Sequence, residues 1–237
     1  MLEPHTPGRF NILKAVEEAL ALTKRHKRKA ITLVAPFALA LIVIELFTMP
    51  PSLSLDGLTS LTATQQHPLL NQLLRLALAV PITAVFLLAM ATFGLRRSAG
   101  ERVEPAQAVR ENLARLPHAI VTAALALSPD YLLNALRPGL GTLLGLPLSL
   151  TLMLSIYWVV DQELDAFRAA GQALKLTVTN FPQGLFAMVL FLASVIASVL
   201  TIGVGFLLCV PVAVVIGAAI YRQAEGLHKR YEPEPSA

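Results

Sequence analysis

Apolar runs of about twenty residues recur along this chain, separated by short polar stretches, and nothing else limits its fold as tightly. A helix rises about 1.5 Å per residue, so about 20 residues cross a hydrocarbon layer of roughly 30 Å. Residues 30–49, 76–95 and 140–160 fit that length. Residues 184–202 and 206–221 fit as a pair, joined by a tight turn at Gly203-Val204-Gly205. Residues 118–136 form a weaker run, apolar to Leu127 and then interrupted by Ser128-Pro129-Asp130. Lipid offers no water to backbone N–H and C=O groups, so such segments cross as helices. Composition agrees: 55% of the residues are hydrophobic and 14% charged, against about 25% charged in soluble domains. The expected fold is all-α and membrane-integral, with six transmembrane helices. A cytoplasmic segment over 1–29 precedes the helical domain over 30–222, and a cytoplasmic tail over 223–237 follows it.

The placement of basic residues orients these spans. With the N-terminus inside, the cytoplasmic side receives Lys24 to Lys29, then Arg96, Arg97, Arg102, Arg110 and Arg115. It also receives Arg168, Lys175, Arg222, Lys229 and Arg230, while the outer side holds only Arg75 and Arg137. This is the bias of the positive-inside rule, and omitting the weak third span would reverse everything after it. The net charge of +4 thus points to anionic headgroups and not to nucleic acid. Lys24 to Lys29 followed by an apolar run imitates a secretion leader. That run exceeds the roughly 7–15 residues of a leader core and ends in Met49-Pro50-Pro51, so it is expected to be retained. The single cysteine, Cys209, excludes an intrachain disulfide.

Amphipathic segments precede three of the spans. Residues 11–22 place Ile12, Val16, Ala19 and Leu20 on one face, and 105–116 place Val109, Leu113 and Leu116 together. Residues 164–181 place Leu164, Phe167, Leu174, Val178 and Phe181 at helical spacing. Each reads either as an elbow helix in the headgroup plane or as a loop helix packed on the bundle; the apolar stripe favours the elbow. The even-numbered spans share a proline in similar context: Leu78-Ala79-Val80-Pro81, Leu144-Gly145-Leu146-Pro147 and Leu208-Cys209-Val210-Pro211. The expected organisation is a threefold internal repeat of elbow, span and proline-containing span, although prolines are also frequent in transmembrane helices generally.

From Asp161 to Gly226 these features run in one order. An elbow ends in Leu174-Lys175-Leu176 and Asn180-Phe181. Then come a small-residue-rich span, Gly203-Val204-Gly205, Pro211, and Ala219-Ile220-Tyr221-Arg222. This stretch resembles uncharacterised bacterial six-span inner-membrane proteins of the YciC-like group. It is also similar to the membrane domain fused to some glycerophosphodiester phosphodiesterases. The resemblance implies a bacterial inner-membrane protein; no phosphodiesterase catalytic domain accompanies it here, so that activity does not carry over.

Catalytic patterns are scarce. No two of the five histidines sit at i, i+4 and none adjoins Cys209, so a zinc site of ordinary spacing is not expected. Walker A, dinucleotide and nucleophile-elbow motifs are absent from the sequence, and no cofactor is expected. Ala193 with Ala197, and Ser194 with Ser198, form small-xxx-small pairs suited to packing against Gly217 and Ala218 of the sixth span. Trp158, Tyr157 and Tyr221 lie near cytoplasmic helix ends, where aromatic belts form.

The candidate polar residues are Glu45, Asp130, Asn134 and Arg137. Glu45 reads as a proton or cation site, or as an outer-interface residue whose long side chain reaches water; its place near the helix end favours the second. Asp130, Asn134 and Arg137 either line a substrate cavity or sit solvated at the outer interface. The leading expectation is a non-enzymatic envelope protein that interacts with membrane lipids, other membrane proteins or itself. The alternative is a transporter of small molecules, ions or lipids, motivated by the repeat and the proline-interrupted helices. An intramembrane enzyme ranks last, because no two titratable groups share a membrane depth.

Overall fold

The computed structural model describes residues 10–48, 68–101, 103–136, 144–186, 189 and 204–226. Every regular element among them is helical, so the chain is all-α. The helices are α1 (Ile12–Thr48), α2 (Pro68–Ser98), α3 (Pro105–Glu111) and, after a 3-10 turn (Leu113–Arg115), α4 (Leu116–Leu136). Then follow α5 (Leu146–Met153), α6 (Ile156–Asp161), α7 (Ala166–Thr179) and α8 (Val204–Ala224). Residues 181–186 are also helical. The expected fifth span beyond residue 186, apart from 189, lies outside the described residues, as do Arg137, Gly203 and the segments 1–9 and 227–237.

Two stretches, Leu73–Ser98 and Leu113–Leu133, are long and apolar enough to cross a membrane. Shorter apolar helical stretches occupy Ile31–Ala40, Leu146–Asp161 and Val212–Ala224, within the expected first, fourth and sixth spans. Helix α4 runs straight through Ser128-Pro129-Asp130. Pro129 has no N–H to offer the Leu125 carbonyl, and the Ser128 hydroxyl donates to that oxygen instead at 3.3 Å. The residue that looked like part of the break therefore repairs it.

Helix α1 departs from expectation. Its 37 residues fuse the first amphipathic segment with the first span. Between them lie only Thr23 and the basic run from Lys24 to Lys29, without glycine or proline. Lysine and arginine are good helix formers, so nothing there ends the helix. At 1.5 Å per residue α1 is about 55 Å long, well beyond a roughly 30 Å core. Its N-terminal part buries Ile12, Ala15 and Ala19 while leaving Leu13 and Leu20 exposed. The second amphipathic segment is likewise not one helix: α3 stops at Glu111, and the 3-10 turn leads directly into α4.

Within the expected fourth span, Leu146–Asp161 is one continuous apolar helical stretch with one tightened turn. At Leu154-Ser155 the backbone keeps helical angles, and Tyr157 and Trp158 N–H groups reach back three residues, to Leu154 and Ser155 carbonyls at 3.2 and 3.1 Å. The Ser155 hydroxyl donates to the Leu152 carbonyl at 2.6 Å, so this buried polar group is satisfied.

Three helices meet at the centre: α2, α6 and α8. A Cβ added at Gly94 would lie 3.1 Å from the Ala218 Cβ, so α2 and α8 touch almost backbone to backbone. A Cβ at Gly217 would lie 2.6 Å from the Tyr157 hydroxyl oxygen, so α6 and α8 interlock by that ring. Gly217 and Ala218 pack on α6 and α2, while their expected partners Ala193, Ser194, Ala197 and Ser198 lie outside the described residues. Around this centre α1 lies along α8 and α2, and α4 lies along α2 and α5. A second apolar cluster joins Leu33, Val34 and Ala38 of α1 to Met90 and Phe93 of α2, with Val103 and Ala108 beneath.

Replacing Gly217 with Ala should lower stability by about 1–3 kcal/mol through overpacking. The penalty should shrink when Tyr157→Leu is present, because the ring it meets is gone. Thermal unfolding of the four proteins of this cycle in detergent checks the contact; equal penalties in both backgrounds would contradict it.

Candidate functional site

Among the described contacts, many polar ones that join distant parts of the chain lie at one end of the bundle. The ends of α2, α6 and α8 and the starts of α1 and α4 all contribute. A helix start leaves backbone N–H groups without partners. At α1, Asn11 supplies a side-chain cap, its Oδ1 accepting from Leu13 and Lys14 N–H at 3.0 and 3.3 Å. The preceding and following N–H groups are taken by side-chain amides from far along the chain. Phe10 N–H donates to Asn180 Oδ1 at 3.3 Å, Asn11 N–H to Gln223 Oε1 at 2.7 Å, and Ile12 N–H to Gln183 Oε1 at 3.3 Å. Asn180 is itself the C-cap of α7, and its Nδ2 donates to the Leu176 carbonyl at 3.1 Å. One buried amide thus ties the start of α1 to the end of α7.

Beside this knot, α6 and α8 exchange aromatic and acidic groups. Trp158 donates from Nε1 to Glu225 at 3.0 Å, and its ring meets Tyr221 edge-on with centroids 4.9 Å apart. The Tyr221 hydroxyl donates to Asp161 Oδ2 at 2.5 Å and accepts from Gln162 at 3.3 Å. Tyr157 stacks near Tyr221 and donates to the Val214 carbonyl at 2.6 Å. Trp158 and Tyr221 are each 1% exposed. They therefore do not form the lipid-facing belt expected from their positions. A belt residue needs water for its polar tip, whereas here each tip has a protein partner, which lets the whole ring bury.

Cations close the same end. Arg115 donates to the Val159 carbonyl at 3.2 Å and to Glu163 at 2.5 Å. Glu163 adopts φ 57°, a left-handed conformation uncommon for a non-glycine residue, and its pairing with Arg115 holds it where α6 ends. Arg222 donates to the Ser98 carbonyl, and Arg96 pairs with Glu111 at 3.0 Å. Lys29 pairs with Glu104, and that hydrogen bond and charge hold the Glu104 carboxyl below the usual carboxylate range.

Of the residues singled out from sequence, Glu45 falls in the last turn of α1 and Asn134 near the end of α4. Their side chains, like Arg137, lie outside the described residues. Asp130 is partly buried in α4, one turn before Asn134, where the start of the fourth span crosses closely: a Cβ at Gly145 would lie 2.8 Å from the Asp130 Cα. Among the described residues no group of histidine, cysteine, aspartate or glutamate is placed to hold a metal ion.

Sequence reasoning missed Asn180, Gln183, Gln223, Asp161 and Glu225. One signal was available. Pro147 and Pro211 are each followed ten residues on by a tyrosine (Tyr157, Tyr221) and fourteen on by an acid (Asp161, Glu225). The first unit departs from it, with Ala91 and Leu95 at those offsets from Pro81. What the arrangement does chemically is fasten helix ends: both carboxylates are occupied in accepting from Tyr221 and Trp158. Comparison with family models, with curated proteins and with solved structures finds no match for this chain.

Gln223→Ala removes the acceptor of the Asn11 N–H and should cost about 1 kcal/mol. Hydrogen exchange should quicken at Asn11 and the first turn of α1 and stay unchanged in α4. Unaltered exchange at Asn11 would contradict the capping role.

Proposed function

We propose that this chain is a six-span bacterial inner-membrane protein with both termini in the cytoplasm. We assign it to the YciC-like group, as a non-enzymatic lipid-interacting or accessory protein of the envelope. The observation that carries this reading is how polar and apolar groups are placed. Among the described contacts, many long-range polar ones, with the charged residues Arg96, Arg115, Asp161 and Arg222, lie at one end of the bundle. Large apolar side chains instead stand exposed on outer faces: Leu39 and Val43 on α1, Leu73 and Leu78 on α2, Ile120 and Leu132 on α4. One exposed leucine is ordinary, but a recurring set on several helices needs an apolar surround. Basic side chains at the polar end then face the cytoplasm.

The contact pattern supports the threefold repeat. The first and third spans each lie against their own partner and against the even span of the neighbouring unit: α1 on α2 and α8, α4 on α5 and α2. The intervening helices follow suit, α3 resting on α1 and α2, and α7 on α4, α5 and α6. Thus α8 returns to α1, as a ring of three units would require. The partners on this reading are membrane lipids, other membrane proteins or further copies of this chain, and no nucleic acid.

Mass spectrometry of the protein extracted with its native membrane in polymer nanodiscs tests the role. The expected result is a lipid enriched over the bulk membrane or a co-purifying membrane protein. Bulk lipid with no companion protein, or turnover of a lipid headgroup at enzymatic rates, would contradict it.

A further inference from the structure

Helix α7 has two faces of different kinds. One carries Ala166, Ala169, Ala170, Ala173 and Leu176, all buried against the bundle. The other carries Phe167, Leu174 and Val178, and Phe181 lies in the helical residues that follow; these are 69, 40, 74 and 63% exposed. Positions 167, 174 and 178 recur at helical spacing and form one stripe along the α7 axis, and Phe181 stands exposed just past the Asn180 C-cap. Small residues seat the helix on the protein while the large apolar ones point away from it, the reverse of a helix that buries its bulk in a core. Arg168 and Lys175 stand exposed immediately after Phe167 and Leu174, one helical step to the side of the stripe. Arg168 also pairs with Asp165 at 3.1 Å, across the N-cap of the same helix.

The helix is anchored at the polar end of the bundle, since Asn180 and Gln183 just beyond it hold the start of α1. An apolar stripe flanked by cations at that level matches an anionic leaflet in both respects: acyl chains take the rings, and phosphates meet the basic groups.

We propose that α7 lies in the headgroup layer of the cytoplasmic leaflet, with Phe167, Leu174, Val178 and Phe181 inserted, and selects anionic phospholipid through Arg168 and Lys175. This rests on the membrane-spanning reading above and adds to it a surface and a lipid class.

The test uses the full chain with Cys209→Ser, carrying a nitroxide at Val178→Cys or, separately, at Leu39→Cys, in phosphatidylcholine vesicles with and without phosphatidylglycerol. Leu39 is 63% exposed on the first span and reports the membrane reading by itself. The expected result is a Val178 label that collides more with oxygen than with a water-soluble nickel reagent, at a shallower depth than the Leu39 label. A Val178 label in water beside a Leu39 label in lipid overturns the proposal and leaves the spans standing. Both labels in water overturn the membrane reading as well. Spin–spin broadening at Val178 would put a second copy of the chain on this face and also overturn it. Combining Arg168→Gln with Lys175→Gln should weaken the preference for spin-labelled phosphatidylglycerol over phosphatidylcholine by about fivefold per cation removed. An unchanged Leu39 spectrum would show the fold intact, and an unchanged preference would overturn the anionic assignment.

Discussion

The approach of α2, α6 and α8 at Gly94, Tyr157 and Gly217 is the contact around which the other helices are arranged. On the proposed membrane reading, helices in lipid have little hydrophobic drive to associate, so close packing and hydrogen bonds hold them together. Both are concentrated here. Gly94 lets α2 approach Ala218, and Gly217 leaves room for the Tyr157 ring, whose hydroxyl is satisfied by the Val214 carbonyl. Without the two glycines these helices would have to separate, and α1 and α4, which lie on their outer sides, would separate with them.

The polar end of the bundle is held by contacts between helix ends. At the polar end, helix-terminal groups meet side chains from other helices: Arg222 serves the Ser98 carbonyl, Arg115 the Val159 carbonyl, and Asn180, Gln183 and Gln223 the first N–H groups of α1. Cations at helix C-termini also complement the helix dipole. These bonds tie segments far apart in sequence, so this end holds as a frame from which the outer face of α7 is presented. At the other end the backbones of α4 and of the segment before α5 cross closely, at Asp130 and Gly145.

The all-helical class was readable because long apolar runs with little charge, at about 1.5 Å rise per residue, fold as long helices. Even the doubtful run at 118–136 formed a helix, with Ser128 supplying the hydrogen bond that Pro129 cannot. What was misjudged depended on partners that local spacing does not reveal. Tyr157, Trp158 and Tyr221 share the composition of a belt, and only Val214, Glu225 and Asp161 make them a buried cluster. The amide knot joins residues separated by 170 and 212 positions, beyond any periodicity. The fusion of the first amphipathic segment with α1 was legible in hindsight, since nothing between Thr23 and Ala30 stops a helix. Of the candidate polar residues, the described part of the structure speaks to Asp130 alone, and places it at a helix crossing.

The central claim is that one end of this bundle faces the cytoplasm as a whole. Single cysteines replacing Glu101, Glu163 and Gly226, each in a Cys209→Ser chain, place a thiol after α2, after α6 and after α8. A membrane-impermeant thiol reagent applied to intact cells and to inverted membrane vesicles reads their side. The account predicts that all three are modified in inverted vesicles and spared in intact cells. Modification of any one of them in intact cells, with the others spared, would contradict it.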